Sequence, residues 1–355
     1  MYLYLEDGTI IEGISIGADK EAIGEVVFTT AMNGYVESLT DPSYKGQILV
    51  FTHPHIGNYG IPKKEYINNV LSNFESEHIQ VSGVVINNTN NGFKYNKLYS
   101  LSEWLKEENI PGIVIDDTRL IVKKIRDNGV MKGGLLKKES SKELVDNFNY
   151  SNIELINEVS PKEIIIHGNN RYKVLLFDFG VKHGIIRELI RRNLEVIRIS
   201  YKMNFEKYIN EVNGIVYSNG PGDPEIVSKY FDKIKELSEY KMPTFGICLG
   251  HQLIGIAFNG IVKKMKFGHR AINKGVFDVI NKKAIITTHN HGYAIEKLPE
   301  GFKLWFYSID DKVIEGMINN DLNIITTQFH PEAGPGPLDA NYIFDIFANM
   351  VEKWR

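Results

Sequence analysis

The second half of the chain alternates strand and helix, and that alternation admits few folds. The stretch YKVLLFDFG (172–180) reads as a buried strand, and LEVIRIS (194–200) reads as another. Between them, VKHGIIRELIRRN places Ile185, Ile186, Leu189 and Ile190 on one side of a helix. A strand at NGIVYSN, a helix over EIVSKYFDKIKELSEY and a strand at PTFGI continue the pattern. Strands separated by helices need crossover connections, so this half is expected to be α/β, a doubly wound parallel sheet covered on both faces. Ligands in such sheets sit beyond the carboxyl ends of the strands.

The first half reads differently. YLYLEDGTIIEGISI flanks Asp7-Gly8 with alternating residues, a hairpin signal, and GEVVFTTAMNGY and GQILVFTHPHIGNYG add short β-branched and aromatic runs. Helical periodicity enters only at SLSEWLKEENI and TRLIVKKIRDNG, so a β-rich domain with a few helices is expected. From about Leu136 to Asn170 the texture turns charged and rich in Asn and Ser. The expected organisation is a first domain at 1–145, a linker at 146–171 and a second domain at 172–355. A chain of 355 residues exceeds the size of one ordinary hydrophobic core, which agrees with two domains.

A formal net charge of −3, with Lys and Arg dispersed among Asp and Glu, gives no basic surface for nucleic acid. No apolar run approaches the roughly 18 residues of a membrane span. The N-terminus shows no signal-peptide pattern, and the one cysteine can form no internal disulfide, so a cytoplasmic location is expected.

That cysteine, Cys248, lies in GICLG between a strand and a helix. G-x-C-x-G in this context is the pattern of a nucleophile elbow, with cysteine in the place of serine. A thiol at a helix N-terminus is favoured as thiolate, and the adjacent backbone N–H groups can hold a developing oxyanion. A lone cysteine is ordinarily a small buried hydrophobe, and it is the glycine-flanked turn that favours a nucleophile here. TTQFHPEAGPGP offers a base: Pro331 disfavours helix, and in extended backbone His330 and Glu332 would share a side, the carboxylate orienting the imidazole.

Together GICLGHQ and QFHPE resemble the triad-type class I glutamine amidotransferase domain. SNGPGDP (218–224) is similar to that family's oxyanion loop and THNHGYA (288–294) to a substrate-side loop. In the first half, GEVVFTTAMNGYVESLTDPSYKGQILVFTHPHIGNYG and IDDTRLIVKKIRDNGVMKG resemble the N-terminal domain of the carbamoyl-phosphate synthetase small-chain family. The resemblance implies a flavodoxin-like sheet in the second domain. It implies Cys248 as nucleophile, His330 as general base and acid, and Glu332 as its partner. Glutamine would be bound by Ser43, Gly220, Gly222, Leu249, Gln252, Asn290, Gly292 and Tyr293. It further implies that ammonia released from L-glutamine passes to a large chain, in a heterodimer or higher oligomer serving arginine or pyrimidine synthesis. No G-x-x-x-x-G-K-[ST] loop is present, so no cofactor is expected in this chain, and ATP and magnesium are expected on the large chain. A free-standing cysteine hydrolase or peptidase and a non-catalytic regulatory subunit are the alternative readings.

Some positions depart from the family pattern. Arg270, Ala271 and Ile272 replace the usual second histidine and paired glycines after FGH, and Gly184 replaces a usual asparagine. His289 and His291 form an H-x-H pair that His251, His269 and His330 could join. The single cysteine already has a role, however, and no carboxylate falls at ligand spacing, so no metal is expected.

Overall fold

The computed structural model describes residues 1–88, 99–137 and 142–354. It divides into two compact units, Met1–Glu65 with Asn73–Ile153, and Tyr66–Ser72 with Glu154–Arg355.

The first unit is built on an eight-stranded sheet. Its centre is four parallel strands, Ala22–Thr29, Gln47–Phe51, Gly83–Ile86 and Pro111–Val114, flanked by antiparallel strands. Val26, Val27, Ile48, Leu49 and Val50 are all fully buried. Neighbouring residues of a strand face opposite sides, so this sheet is covered on both faces. Asp7-Gly8 turns Tyr2–Leu5 back onto Ile10–Glu12, with Gly8 at φ 86°. The helix Leu101–Glu107 opens on a capping box between Ser100 and Glu103. Ser43 is buried in the short turn Pro42–Tyr44, and its N–H donates to Asp41 Oδ1 at 2.9 Å.

In the second unit the five parallel strands run in the spatial order Leu194–Ser200, Tyr172–Asp178, Gly214–Tyr217, Thr244–Ile247 and Ile324–Thr327. Numbered along the chain that order is 2-1-3-4-5, the flavodoxin-like arrangement. Alternate side chains feed two separate cores. Val174, Leu176 and Phe245 pack with Ile185, Leu189, Phe344 and Phe347 on one face. Leu175, Phe177 and Ile215 pack with Ile234, Leu237, Leu253 and Ile254 on the other. Antiparallel strands Ile314–Asn319, Lys283–Lys297, Ile261–Asp278 and Lys303–Ser308 then extend the sheet beyond Ile324–Thr327.

Three local features differ from the sequence reading. The segment over 225–240 is not one helix: Pro224–Tyr230 is a 3-10 turn and Phe231–Ser238 an α-helix, because buried Val227 departs from helical geometry at φ −98°, ψ 23°. THNHGYA is not a loop but the middle of the strand Lys283–Lys297, held by pairing with Ile261–Asp278. The stretch 146–171 contains the strand Ile165–His167, which pairs antiparallel with Leu194–Ser200.

Candidate active site

Cys248 ends the strand Thr244–Ile247 and starts the helix Leu249–Ala257. Its backbone, at φ 53° and ψ −100°, occupies a region that residues with a side chain rarely enter. The strain is fixed by neighbours: the Cys248 N–H donates to Thr327 O at 2.8 Å, and the Gly250 N–H to Ser218 O at 3.0 Å. A Cβ on Gly250 would lie 2.1 Å from Tyr217 O, so the helix can approach the neighbouring strand this closely only through glycine. The first helical N–H, that of Leu249, has no partner within the helix and is a donor beside the thiol. Cys248 is 3% exposed, and its Sγ lies 3.7 Å from Asn290 O.

His330 and Glu332 come together by a route other than extended backbone. His330 bridges to the neighbouring strand through its N–H to Thr288 O at 2.8 Å. The chain then turns at Pro331, with the Ala333 N–H donating to His330 O at 3.1 Å and Ala333 at φ 58°. The turn sets His330 Nδ1 2.6 Å from Glu332 Oε1, both side chains being buried. Nδ1 therefore carries the proton toward the carboxylate, which leaves Nε2 buried without a hydrogen-bond partner, and the Cys248 sulfur is near enough to interact with the ring electrostatically.

Burial pulls the His330 pKa down, but the Glu332 carboxylate, aided by the Cys248 sulfur, outweighs burial and the opposing Lys182 charge, so it is raised. Burial alone would raise that of Glu332, but the charges of Lys182 and His330 hold it well below its ordinary value. Lys182 is a residue the sequence did not single out. Its Nζ lies 3.1 Å from Glu332 Oε1 and also donates to Ala333 O, and its N–H donates to Asn219 Oδ1 at 3.0 Å. GVKHG gives no local sign of this role, since a lysine before a helix is normally solvated.

The other candidate residues fall in three places. Gln252 lies on the elbow helix and Asn290, Gly292 and Tyr293 on the strand Lys283–Lys297, and the Gln252 amide donates to Tyr293 O at 3.0 Å and to Gln328 Oε1 at 3.1 Å. The Tyr293 hydroxyl donates to Asp223 Oδ2 at 2.9 Å, tying this strand to the SNGPGDP loop. In that loop Gly220 is packed against Phe179 O, while Gly222, at φ 90°, has open space where a side chain would be. Ser43 belongs to the first unit. His251, next to the elbow, is a buried neutral imidazole whose pKa burial lowers to about 3, and its Nδ1 is 2.7 Å from Thr326 Oγ1.

Residues 3–135 match the family described as carbamoyl-phosphate synthase small chain, CPSase domain, and residues 175–350 match glutamine amidotransferase class-I. A carbamoyl phosphate synthase small chain of Sulfurisphaera tokodaii is 51% identical over 360 residues, covering 99% of this chain and 96% of that one. A second, from Saccharolobus solfataricus, is 50% identical over 357 residues, covering 99% and 97%. With a buried thiol on a strained elbow, an imidazole held by a carboxylate beside it, and both halves matched along nearly their whole length, the chain belongs to the carbamoyl phosphate synthase small-chain family.

Proposed function

We propose that Cys248, His330 and Glu332 hydrolyse the side-chain amide of L-glutamine. As a small chain with an amidotransferase domain, the protein is the glutamine-hydrolysing member of a carbamoyl phosphate synthase and works with a large chain. The observation that carries the residue assignment is the 2.6 Å contact of His330 Nδ1 with Glu332, which leaves Nε2 for the Cys248 thiol.

His330 Nε2 takes the Cys248 thiol proton, the resulting thiolate attacks the amide carbon, and the tetrahedral oxyanion is met by the Leu249 N–H and by the N–H groups of Gly220 and Gly222. His330 Nε2 gives its proton to the departing nitrogen, so ammonia leaves and a glutamyl thioester remains. His330 then takes a proton from water as it attacks the thioester, releasing glutamate and restoring the thiol. Gln252, through its bonds to Tyr293 and Gln328, fixes the strand that carries Asn290 and Gly292 against the substrate. Ser43 enters this reading only through the family resemblance. The ammonia is taken up by the large chain, where ATP and magnesium activate bicarbonate. No helix among the described residues is long and apolar enough to cross a membrane. A single free thiol suits a cytoplasmic setting.

The test is ammonia release from glutamine, with acid quenching to trap the acyl-enzyme. A glutamyl adduct on the peptide carrying Cys248, faster turnover when the large chain is added, and loss of both with Cys248→Ser are expected. An adduct elsewhere, or full turnover by Cys248→Ser, would refute the assignment.

A further inference from the structure

Three histidines and a glutamate converge inside the second unit, in a cluster the glutaminase chemistry does not use. His289 and His291 flank Asn290 on the strand Lys283–Lys297, so both imidazoles leave the face opposite to the Asn290 side chain. His269 stands across from His291 on the neighbouring strand. Glu315 comes from Ile314–Asn319, on the other side of the same strand. All four are buried, at 4%, 2% and 4% exposure for His269, His289 and His291 and 0% for Glu315. The carboxylate that sequence spacing withholds is thus supplied by a third strand.

The outer hydrogen bonds fix what each ring presents inward. The Thr287 hydroxyl donates to Lys274 O, so at 2.7 Å from His289 Nε2 it accepts, and the proton of His289 sits on Nε2. His291 Nδ1 is 2.9 Å from the Tyr293 carbonyl and must donate to it. His269 Nε2 lies 2.7 Å from Asp311 Oδ2 and donates likewise. As a neutral ring, each histidine turns a lone pair toward the Glu315 carboxylate, whose Oε2 has no hydrogen-bond partner. Outer N–H groups anchored on carbonyl, hydroxyl and carboxylate are the arrangement that orients metal-binding histidines.

The inward atoms also have the right spacing. His269 Nδ1 is 3.1 Å and His291 Nε2 3.8 Å from Glu315 Oε1, while His289 Nδ1 is 3.5 Å from Glu315 Oε2 and 3.3 Å from His291 Nε2. Ligands at about 2.0 Å from a tetrahedral ion stand about 3.3 Å apart. A single proton on His269 Nδ1 would satisfy its contact with Glu315 and still leave the lone pairs of His289 and His291 facing each other. The nearest cations on the flanking strand are committed elsewhere, Lys274 to Asp310 and Arg270 to Phe267 O.

We propose that His269 Nδ1, His289 Nδ1, His291 Nε2 and Glu315 bind a structural zinc ion. Three imidazoles and one carboxylate are a donor set for zinc rather than for calcium or magnesium, which prefer oxygen, and four protein ligands leave no open position for catalysis. The ion ties three strands together immediately behind the segment that passes Cys248.

The full chain, without a polyhistidine tag, is dialysed into metal-free buffer after exposure to micromolar zinc, and its metal is measured by mass spectrometry. About one zinc per chain is expected, with affinity reduced roughly tenfold or more in Glu315→Gln. Cobalt(II) loaded into the unaltered chain should give the intense visible bands of four-coordination with no sulfur charge-transfer band, and Cys248→Ser should leave that spectrum unchanged. The cobalt spectrum decides the matter even where Glu315→Gln does not fold. Less than roughly a tenth of an equivalent of zinc, the weak bands of six-coordinate cobalt, or a spectrum altered by Cys248→Ser would overturn the assignment.

Discussion

Lys182 Nζ lies 3.1 Å from Glu332 Oε1, with both side chains almost wholly removed from water, so the carboxylate that holds His330 is itself held by a cation. Removing one member of a buried pair leaves the other charge uncompensated, which costs about 3–5 kcal/mol. Lys182→Met is therefore expected to lower the melting temperature and to raise the pKa of Glu332. Activity of that variant should fall away at a higher pH on the acid side than in the wild type, a shift read from the pH profile of kcat/KM.

The same contacts give stability a defined pH window. The Glu332 carboxyl is depressed, so its contribution is present above its ordinary value of 4.5 and is lost as pH falls through about 2. The His330 imidazole is raised, so its contribution is complete below 6.5 and is lost as pH rises through about 10. Glu332→Gln removes the charge that sustains the imidazolium, and burial then favours the neutral ring. Thermal unfolding from pH 6 to about 10 should consequently show a flatter alkaline decline in Glu332→Gln than in the wild type. Parallel declines would disprove the coupling.

Replacing the base should damage turnover more than replacing its orienter. His330→Asn is expected to reduce kcat by roughly a hundredfold or more with a small change in KM, and Glu332→Gln by less, since the imidazole remains. Steady-state kinetics of both variants in the assembled enzyme checks the order. A larger loss in Glu332→Gln would reverse the assigned roles.

Cys248→Ser should abolish glutamine-dependent synthesis in the assembled enzyme while leaving synthesis from free ammonia intact. The hydroxyl is nearly the size of the thiol but a far weaker nucleophile at neutral pH. Carbamoyl phosphate formation with each nitrogen source separates the outcomes, and loss of both activities would point to a defect in assembly.

Gly250→Ala should be more disruptive than its size suggests. The new methyl would meet Tyr217 O at 2.1 Å, and backbone atoms cannot yield as a side chain can. The variant is expected to lose stability by about 1–3 kcal/mol or more and to lose glutaminase activity through displacement of Cys248. Denaturant unfolding and ammonia release measure the two effects, and a fully active, fully stable variant would show that the elbow tolerates a wider approach.

Much of this was legible along the chain, because periodicity and turn chemistry report the local backbone. The strand and helix alternation of 172–247 marked a parallel sheet, and glycines around Cys248 marked a sharp turn at a strand end, since both follow from sterics within a few residues. HPE marked a histidine and a carboxylate that would pair, although the turn closed by Ala333, rather than extended backbone, joins them. Pairing between distant strands leaves no such local trace. Only the tertiary structure placed THNHGYA in a strand, carried Lys182 from the start of one helix to Glu332, and set Glu315 among three histidines. Each of those outcomes depends on which segments the sheet order brings side by side, and that order is decided by burial of two whole faces rather than by any short stretch of residues.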